Sequence, residues 1–251
     1  MILEISELSK EFHKYDKRIH AVDQVSFQIK SGEFVSIIGH SGSGKSTLFH
    51  LITGLLRPTS GKICIDNRVI NSAGEQELAL LRNQKIGYIL QEQNLLSNYT
   101  VLENVWMPGI IYKGKSKESV KAMAERILEL VGLKEQRDSY PNQISDGEAR
   151  RVDIARALIN TPEVIIADEP TSNLDPDNSA QIIQLFRGIS DSGVAVIIST
   201  HDLSALKYSD KVFLMRQGKL EKKEEDIINK GEKYEWNKEI NYRIGWGDTS
   251  S

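Results

Sequence analysis

Gly39-His40-Ser41-Gly42-Ser43-Gly44-Lys45-Ser46-Thr47 fits the pattern G-x-x-x-x-G-K-[ST], and its flanks decide how it folds. The run Phe34–Ile38 (FVSII) before it is short, apolar and β-branched, and reads as a buried strand. After it, Leu48, Phe49, Leu51, Ile52 and Leu55 recur at helical spacing. A strand, a glycine-rich loop and a helix start aim successive backbone N–H groups at one point, which favours a bound anion. Glycines let the backbone approach phosphates with no Cβ in the way. In this reading Gly39 to Thr47 cradle a nucleoside triphosphate, Lys45 reaches its β- and γ-phosphates, and the Ser46 hydroxyl ligates Mg²⁺. A Gly/Ser-rich turn with no ligand is the alternative, and it would not need this strand and this helix.

Working outward, continuous apolar runs recur at 164–167 (VIIA), 194–199 (VAVIIS) and 212–215 (VFLM). Helical patterns accompany them. Val120, Met123, Ala124, Ile127, Leu128 and Val131 share one face, with Gly132 as the stop. A second helix is predicted over 148–159, ending before Pro162. Asp175-Pro176 reads as the N-cap and first turn of a helix carrying Ile182, Ile183, Leu185, Phe186 and Ile189. Buried runs alternating with helices imply a parallel sheet with helices packed against it. Residues 1–30 alternate instead, with Val25, Phe27 and Ile29 set against Ser26 and Gln28. Residues 60–70 read as a hairpin with a turn near Asn67. The predicted fold class is α/β: a P-loop NTPase (RecA-like) core, a small antiparallel β subdomain, and an inserted helical subdomain at about 93–155. Residues 1–222 form the expected domain, and 223–251 a charged C-terminal tail.

The chain of 251 residues is long enough for a sizeable core, and its net charge of −3 gives no basic field for nucleic acid. Its single cysteine, Cys64, excludes an internal disulfide and sits in a strand-like stretch as a packing residue. No apolar run reaches the ~18 residues that would span a bilayer. The N-terminus lacks the basic-then-apolar order of a signal peptide. These features predict a cytoplasmic chain whose membrane role, if any, comes through a partner.

The run 164–167 ends in Asp168 and Glu169. At the carboxyl end of a buried strand in a phosphate-loop fold, the first acid suits water-mediated Mg²⁺ binding and the second can polarise an attacking water. Two acids at a strand end are otherwise most often a solvated turn. The upstream loop changes that reading.

Order and spacing of these elements resemble the nucleotide-binding subunit of an ATP-binding cassette (ABC) transporter over roughly residues 1–222. The resemblance implies that Phe12 stacks on adenine and that Gln91, in the string Ile86-Gly87-Tyr88-Ile89-Leu90-Gln91, contacts Mg²⁺ and couples the insertion to it. It implies a D-loop at Ser172-Asn173-Leu174-Asp175 and a switch histidine at His201, with Glu169, His201 and Gln91 as the catalytic set. It further implies a head-to-tail dimer around two ATP molecules, each completed by a signature loop from the opposite subunit, with an integral-membrane permease as partner. The matching loop reads Ile144-Ser145-Asp146-Gly147-Glu148. Ser145 and Gly147 match the family's γ-phosphate contacts, whereas Asp146 and Glu148 depart from the usual Leu-Ser-Gly-Gly-Gln and add negative charge. Either the charge weakens closure of the dimer, or Asp146 takes the left-handed backbone of the usual glycine and the loop works normally.

Within the family, the strings 81–88, 94–96 and 100–108 resemble the lipoprotein-release, macrolide-export and cell-division group (LolD, MacB and FtsE types). That implies a motor peripheral on the inner face of the membrane, acting in export or extraction of a lipoprotein, peptide or antibiotic. A weakly hydrolysing regulatory or scaffold subunit, as in cell-division complexes, is the alternative that the altered signature loop supports. A DNA- or ribosome-acting relative would carry a long coiled coil or two cassettes, and this sequence has neither.

Overall fold

Alternation of apolar and polar residues governs the first half of the architecture. The computed structural model describes residues 1–14, 17–111 and 116–223; of the expected tail, residues from 224 onward lie outside it. Strands β1 (Leu3–Lys14) and β2 (Lys17–Ile29) pair antiparallel, with Leu3 opposite Ile29 and Ile5 opposite Phe27, and these four side chains are buried. The loop strand follows as β3 (Phe34–Ile38), then α1 (Lys45–Ile52). Strands β4 (Ser60–Ile65) and β5 (Arg68–Val69) form the expected hairpin, turned by Asp66 and Asn67 at φ 49° and 60°. β4 lies on the other side of β1, giving a four-stranded antiparallel sheet of order β2-β1-β4-β5. Cys64 is a free, partly buried member of this sheet.

Besides two short 3₁₀ helices, Pro141–Gln143 and Leu203–Tyr208, the remaining elements are α2 (Glu75–Lys85), β6 (Ile86–Ile89), α3 (Val101–Ile111), α4 (Lys117–Leu130), α5 (Asp146–Leu158), β7 (Val164–Ala167), α6 (Pro176–Asp191), β8 (Ala195–Thr200), β9 (Lys211–Arg216) and β10 (Lys219–Lys223). They complete a six-stranded sheet of order β10-β9-β3-β8-β7-β6, parallel except for β10. Strands β7 and β8 are buried at every position, as continuous apolar runs require when both faces are covered. One face packs against α1 and the antiparallel sheet through Phe49, Ile52, Ile166 and Ile197. The other packs against α6 through Ile182, Phe186, Ile165 and Val196. Because the five strands are parallel, the residues that follow β3, β6, β7 and β8 all emerge at one edge.

Helices α3, α4 and α5 form a third apolar cluster around Val105, Val120, Leu128 and Val152. They are the inserted helical unit expected from the sequence. α4 starts three residues earlier than the apolar face suggested, because the Ser116 side chain caps it by accepting from the Ser119 N–H. Gly132 follows in the left-handed region at φ 74°. Helices α2 and α3 were not anticipated. α2 buries only Leu78 and Leu81, too few to leave a periodic signal, and α3 contains Pro108.

Asn104 on α3 is 1% exposed and holds the chain ahead of that helix. Its Oδ1 accepts from the Leu96 N–H at 2.7 Å, and its Nδ2 lies within 3.0–3.1 Å of the Leu96, Tyr99 and Thr100 carbonyl oxygens. Replacing it with Leu removes the partner of the Leu96 N–H and the Tyr99 carbonyl and the second donor to the Leu96 and Thr100 carbonyls. Asn104→Leu is expected to lower unfolding stability by about 2–4 kcal/mol in a denaturant titration. A loss below about 0.5 kcal/mol would contradict this role for the amide.

Candidate nucleotide site

The glycine-rich loop is shaped by close backbone approaches. A Cβ at Gly39 would lie 2.4 Å from the Met215 carbonyl oxygen, and one at Gly44 would lie 2.2 Å from that of Ala21. Gly44 also has φ 111°, so both positions admit only glycine. At Gly42, φ 76°, a Cβ would meet nothing within 4 Å, so that glycine answers to conformation alone. The Ser43 N–H donates to the His40 carbonyl at 3.1 Å, and the Ser43 carbonyl accepts from the Gly218 N–H at 3.0 Å. Helix α1 begins after Gly44 with no side-chain cap and no acid in its first turn. Its first N–H groups therefore face the loop with the positive end of the helix behind them.

Lys45 is 5% exposed and folds back over the loop, its Nζ donating to the Gly39 carbonyl at 2.6 Å and the His40 carbonyl at 3.1 Å. Burial pulls its pKa below the usual lysine value, against the opposing pull of the Glu169 and Asp168 carboxylates. Glu169 Oε1 is 3.7 Å from the ammonium. The other oxygen, Oε2, accepts from Gln91 Nε2 at 3.3 Å and lies 3.5 Å from His201 Nδ1. Thus Lys45, Gln91, Glu169 and His201, which follow four different parallel strands, meet at one carboxylate. They border an open cavity of about 680 Å³ together with Gly39, His40, Ser41, Gly42, Gly44, Ser46 and Thr47. Ser43 is buried beneath the loop.

Ser199 on β8 connects the two acids, and the sequence pattern did not mark it. Its Oγ donates to Asp168 Oδ1 at 2.5 Å and accepts from the Glu169 N–H at 2.8 Å. Asp168 is 4% exposed, and Glu169 sits at φ 45°, an uncommon backbone for a glutamate. A buried serine inside an apolar strand, next to the position of His201, was the only sequence signal for it. Ile19, His20 and Ala21 of β2 and Gln217 and Gly218 of the β9–β10 turn also line the cavity and were equally unmarked. Phe12 does not line it. It stands opposite Ile19 in the β1–β2 ladder, 40% exposed, with Lys10 Nζ 5.3 Å from its ring centre.

Residues 144–148, the signature loop expected from the sequence, do not line this cavity. Ser145 is the N-cap of α5, accepting from the Glu148 N–H at 3.3 Å. The Glu148 carboxylate takes the Ser145 N–H at 2.8 Å and the Ser145 hydroxyl at 2.9 Å, which holds its pKa below the usual glutamate value. Asp146 is the first residue of α5 and not among the residues of positive φ. That corrects the expectation of a left-handed backbone there: as a helical N1 residue, Asp146 complements the helix dipole instead. Gly147 is buried against α6, where a Cβ would come within 2.6 Å of Asn178 Oδ1. In the segment expected to be the D-loop, Asn173 has φ 64°, Leu174 packs on the α6 cluster, and the Ser172 hydroxyl is buried. Asp175 caps α6 by accepting from the Asn178 N–H at 2.9 Å, as expected for Asp-Pro.

Fold and site together define a phosphate-loop nucleoside triphosphatase with a helical insertion between its Gln91 loop and its acidic strand. The family model for ABC transporters matches residues 22–172. An uncharacterised ABC transporter ATP-binding protein from Thermotoga maritima is 41% identical over 220 residues, 88% of this chain and 94% of that one. The lipoprotein-releasing system ATP-binding protein LolD from Buchnera aphidicola is 41% identical over 221 residues, covering 88% and 96%. Among solved structures, the dimeric, ADP- and phosphate-bound ATP-binding cassette MJ0796 matches with TM-score 0.81 and 37% identity, over 88% of this chain and 98% of that chain. The chain belongs to the ABC transporter family, as an ATP-binding subunit with ATPase activity.

Ser199→Ala removes the hydroxyl that holds the Asp168 carboxylate and the Glu169 backbone N–H while leaving the loop untouched. It is expected to lower kcat by about tenfold with ADP affinity within about twofold of wild type, read from steady-state kinetics and nucleotide titration. An unchanged kcat would contradict the positioning role.

Proposed function

We propose that this chain is the MgATP-hydrolysing motor of a membrane complex, working as a head-to-tail dimer. It would be held to the inner membrane face by an integral-membrane permease and drive export or extraction of a lipoprotein, peptide or antibiotic. The observation that carries the reading is the meeting of Lys45, Gln91 and His201 on Glu169 at the mouth of the phosphate loop. Among the described residues no helix is long and apolar enough to cross a membrane, so membrane attachment would come through the partner. The similarity to LolD supports the extraction class, and residues 1–222 are taken as the functional cassette.

The donor set fits Mg²⁺ with a nucleotide. The described residues contain no group of three or more His, Cys, Asp or Glu side chains placed to hold a metal. A hard cation would therefore be held by the Ser46 hydroxyl, the Gln91 amide oxygen, phosphate oxygens and Asp168 through water. The uncapped start of α1, with no acid in its first turn, fits a phosphate in the same place. When bound, the cation neutralises charge on the transferring phosphoryl group. Lys45 would exchange its Gly39 and His40 carbonyls for phosphate oxygens, which frees it from Glu169. Glu169 would then accept a hydrogen bond from the attacking water and orient it in line. His201, 56% exposed and on a loop, would turn from Glu169 to the γ-phosphate as a donor. Ser145 lies outside its own chain's cavity, so it would serve the site of a second copy, and Phe12 would approach the base from the rim beyond Ile19.

A weakly hydrolysing regulatory subunit is the second reading, and a specific feature favours it. Asp146 and Glu148 place two carboxylates in the first turn of α5, where a partner's γ-phosphate would dock.

Glu169→Gln keeps shape and removes charge. Hydrolysis is expected to fall by at least ~100-fold while ATP binding survives and dimer accumulates with MgATP on size exclusion. Retained hydrolysis with monomer alone would sink the assignment. Lys45→Ala is expected to lose ATP affinity at least ~10-fold, and equal affinity would count against the loop reading. Asp146→Asn separates the two functional readings. A rise in dimer closure and turnover that is largest at low salt supports charge-limited hydrolysis, and no change removes its support.

A further inference from the structure

Arg150 is 2% exposed on α5, in a cluster of charges that the site chemistry does not use. A guanidinium is costly to bury unless its donors are occupied. Here Nη1 donates to the Leu90 carbonyl and Nη2 to the Gln91 carbonyl, both at 2.7 Å. Among the described residues neither carbonyl accepts a backbone N–H, because the chain has left β6 and not yet entered a helix. The fork is thus what closes the backbone of the Gln91 loop. Two more contacts tie the same segment to the same helix. Gln93 Nε2 donates to the Asp146 carbonyl at 3.1 Å, and Arg156 donates to the Asn94 carbonyl at 3.2 Å and to its side chain.

The charges behind the fork are not arranged for stability. Asp153, 3% exposed, receives Arg156 at 2.8 Å but stands 3.7 Å from Arg150, and Arg150 Nε and Asp153 Oδ2 make no hydrogen bond. Burial raises the Asp153 pKa, opposed by Arg156 and Arg150. An ion pair this loosely satisfied contributes little net folding energy against an apolar pair of similar volume. What it does provide is a directed grip on two carbonyls.

We propose that Arg150 is a positioning residue for Gln91, clamping the Gln91 loop to the signature helix so that Gln91 and Ser145 move as one body. Ser145 lies five residues from Arg150, about 7.5 Å along a continuous helix, which transmits displacement with little bending. On the sheet side, Gln91 follows β6 by two residues, and its side chain donates to Glu169 at 3.3 Å. A shift of the Gln91 backbone on nucleotide binding would pass to α5 through the Arg150 fork and the Gln93 and Arg156 contacts. Resting on the head-to-tail reading, this makes the state of one nucleotide site felt at the signature loop serving the other.

The test is a double-mutant cycle between Arg150 and Gln91. Arg150→Met on the wild-type background is expected to lower kcat about tenfold with KM within about twofold, and Arg150→Lys, which keeps charge and one donor, to recover part of the loss. On a Gln91→Ala background the same Arg150→Met change is expected to cost less than about twofold, because the residue being positioned is gone. If Arg150→Met alone folds poorly, Arg150→Met with Asp153→Leu restores an apolar pair in the same volume and is expected to fold while keeping the kinetic defect. Equal losses on both backgrounds, or full kcat in the folded double variant, would overturn the proposal. A wild-type chain with no turnover would instead overturn the hydrolysis reading, and this inference with it.

Discussion

A buried ammonium beside a carboxylate organises the molecule's working edge. Lys45 is out of water, and its charge is tolerated because the loop offers two carbonyls and Glu169 stands 3.7 Å away. That arrangement requires β3 and β7 to end at the same level, and the parallel sheet supplies this. It also requires Glu169 to leave its strand at φ 45°, which the Ser199 hydroxyl holds in place. Gln91 and His201 then join the same carboxylate from β6 and β8. The Glu169 carboxylate is thus occupied by the chain's own donors, and a nucleotide would have to take them over.

Helix starts divide the labour around that edge. Among the described α-helices, α1 alone has no acid in its first turn, and no side chain caps it. Its orphan N–H groups and dipole are therefore available to phosphate. α5 is the opposite case, with Ser145 and Glu148 capping each other and Asp146 adding a second negative charge. A phosphate approaching α5 competes with an anion already in place, so the Ser145 hydroxyl must be released from Glu148 before it can donate outward. α6 is closed by Asp175.

Much of this was legible in the sequence because the loop, the acidic strand end and the three apolar runs each leave local signatures. The strand expected at 194–199 lies at Ala195–Thr200, and β7 has the limits the apolar run gave it. What stayed hidden depends on contacts between distant segments. Ser199 looks like an ordinary polar residue in a strand until β7 lies beside β8. Arg150 reads as one more basic residue of a helix, and only the fold shows it buried against the Gln91 loop. Asp146 was misread because a family glycine suggested left-handed backbone, whereas the serine cap before it starts the helix one residue on. Phe12 was placed by order along the chain, and the β1–β2 register puts Ile19, not Phe12, in the cavity wall.

The account stands or falls on where a nucleotide sits between two copies. A crystal structure of the Glu169→Gln chain with MgATP tests this most directly. The account places the γ-phosphate on Lys45 and the first N–H groups of α1, with the cation near Ser46 and Gln91 and the far side closed by Ser145 of the partner subunit. A nucleotide bound elsewhere, or a dimer in which Ser145 faces solvent on both protomers, would contradict it.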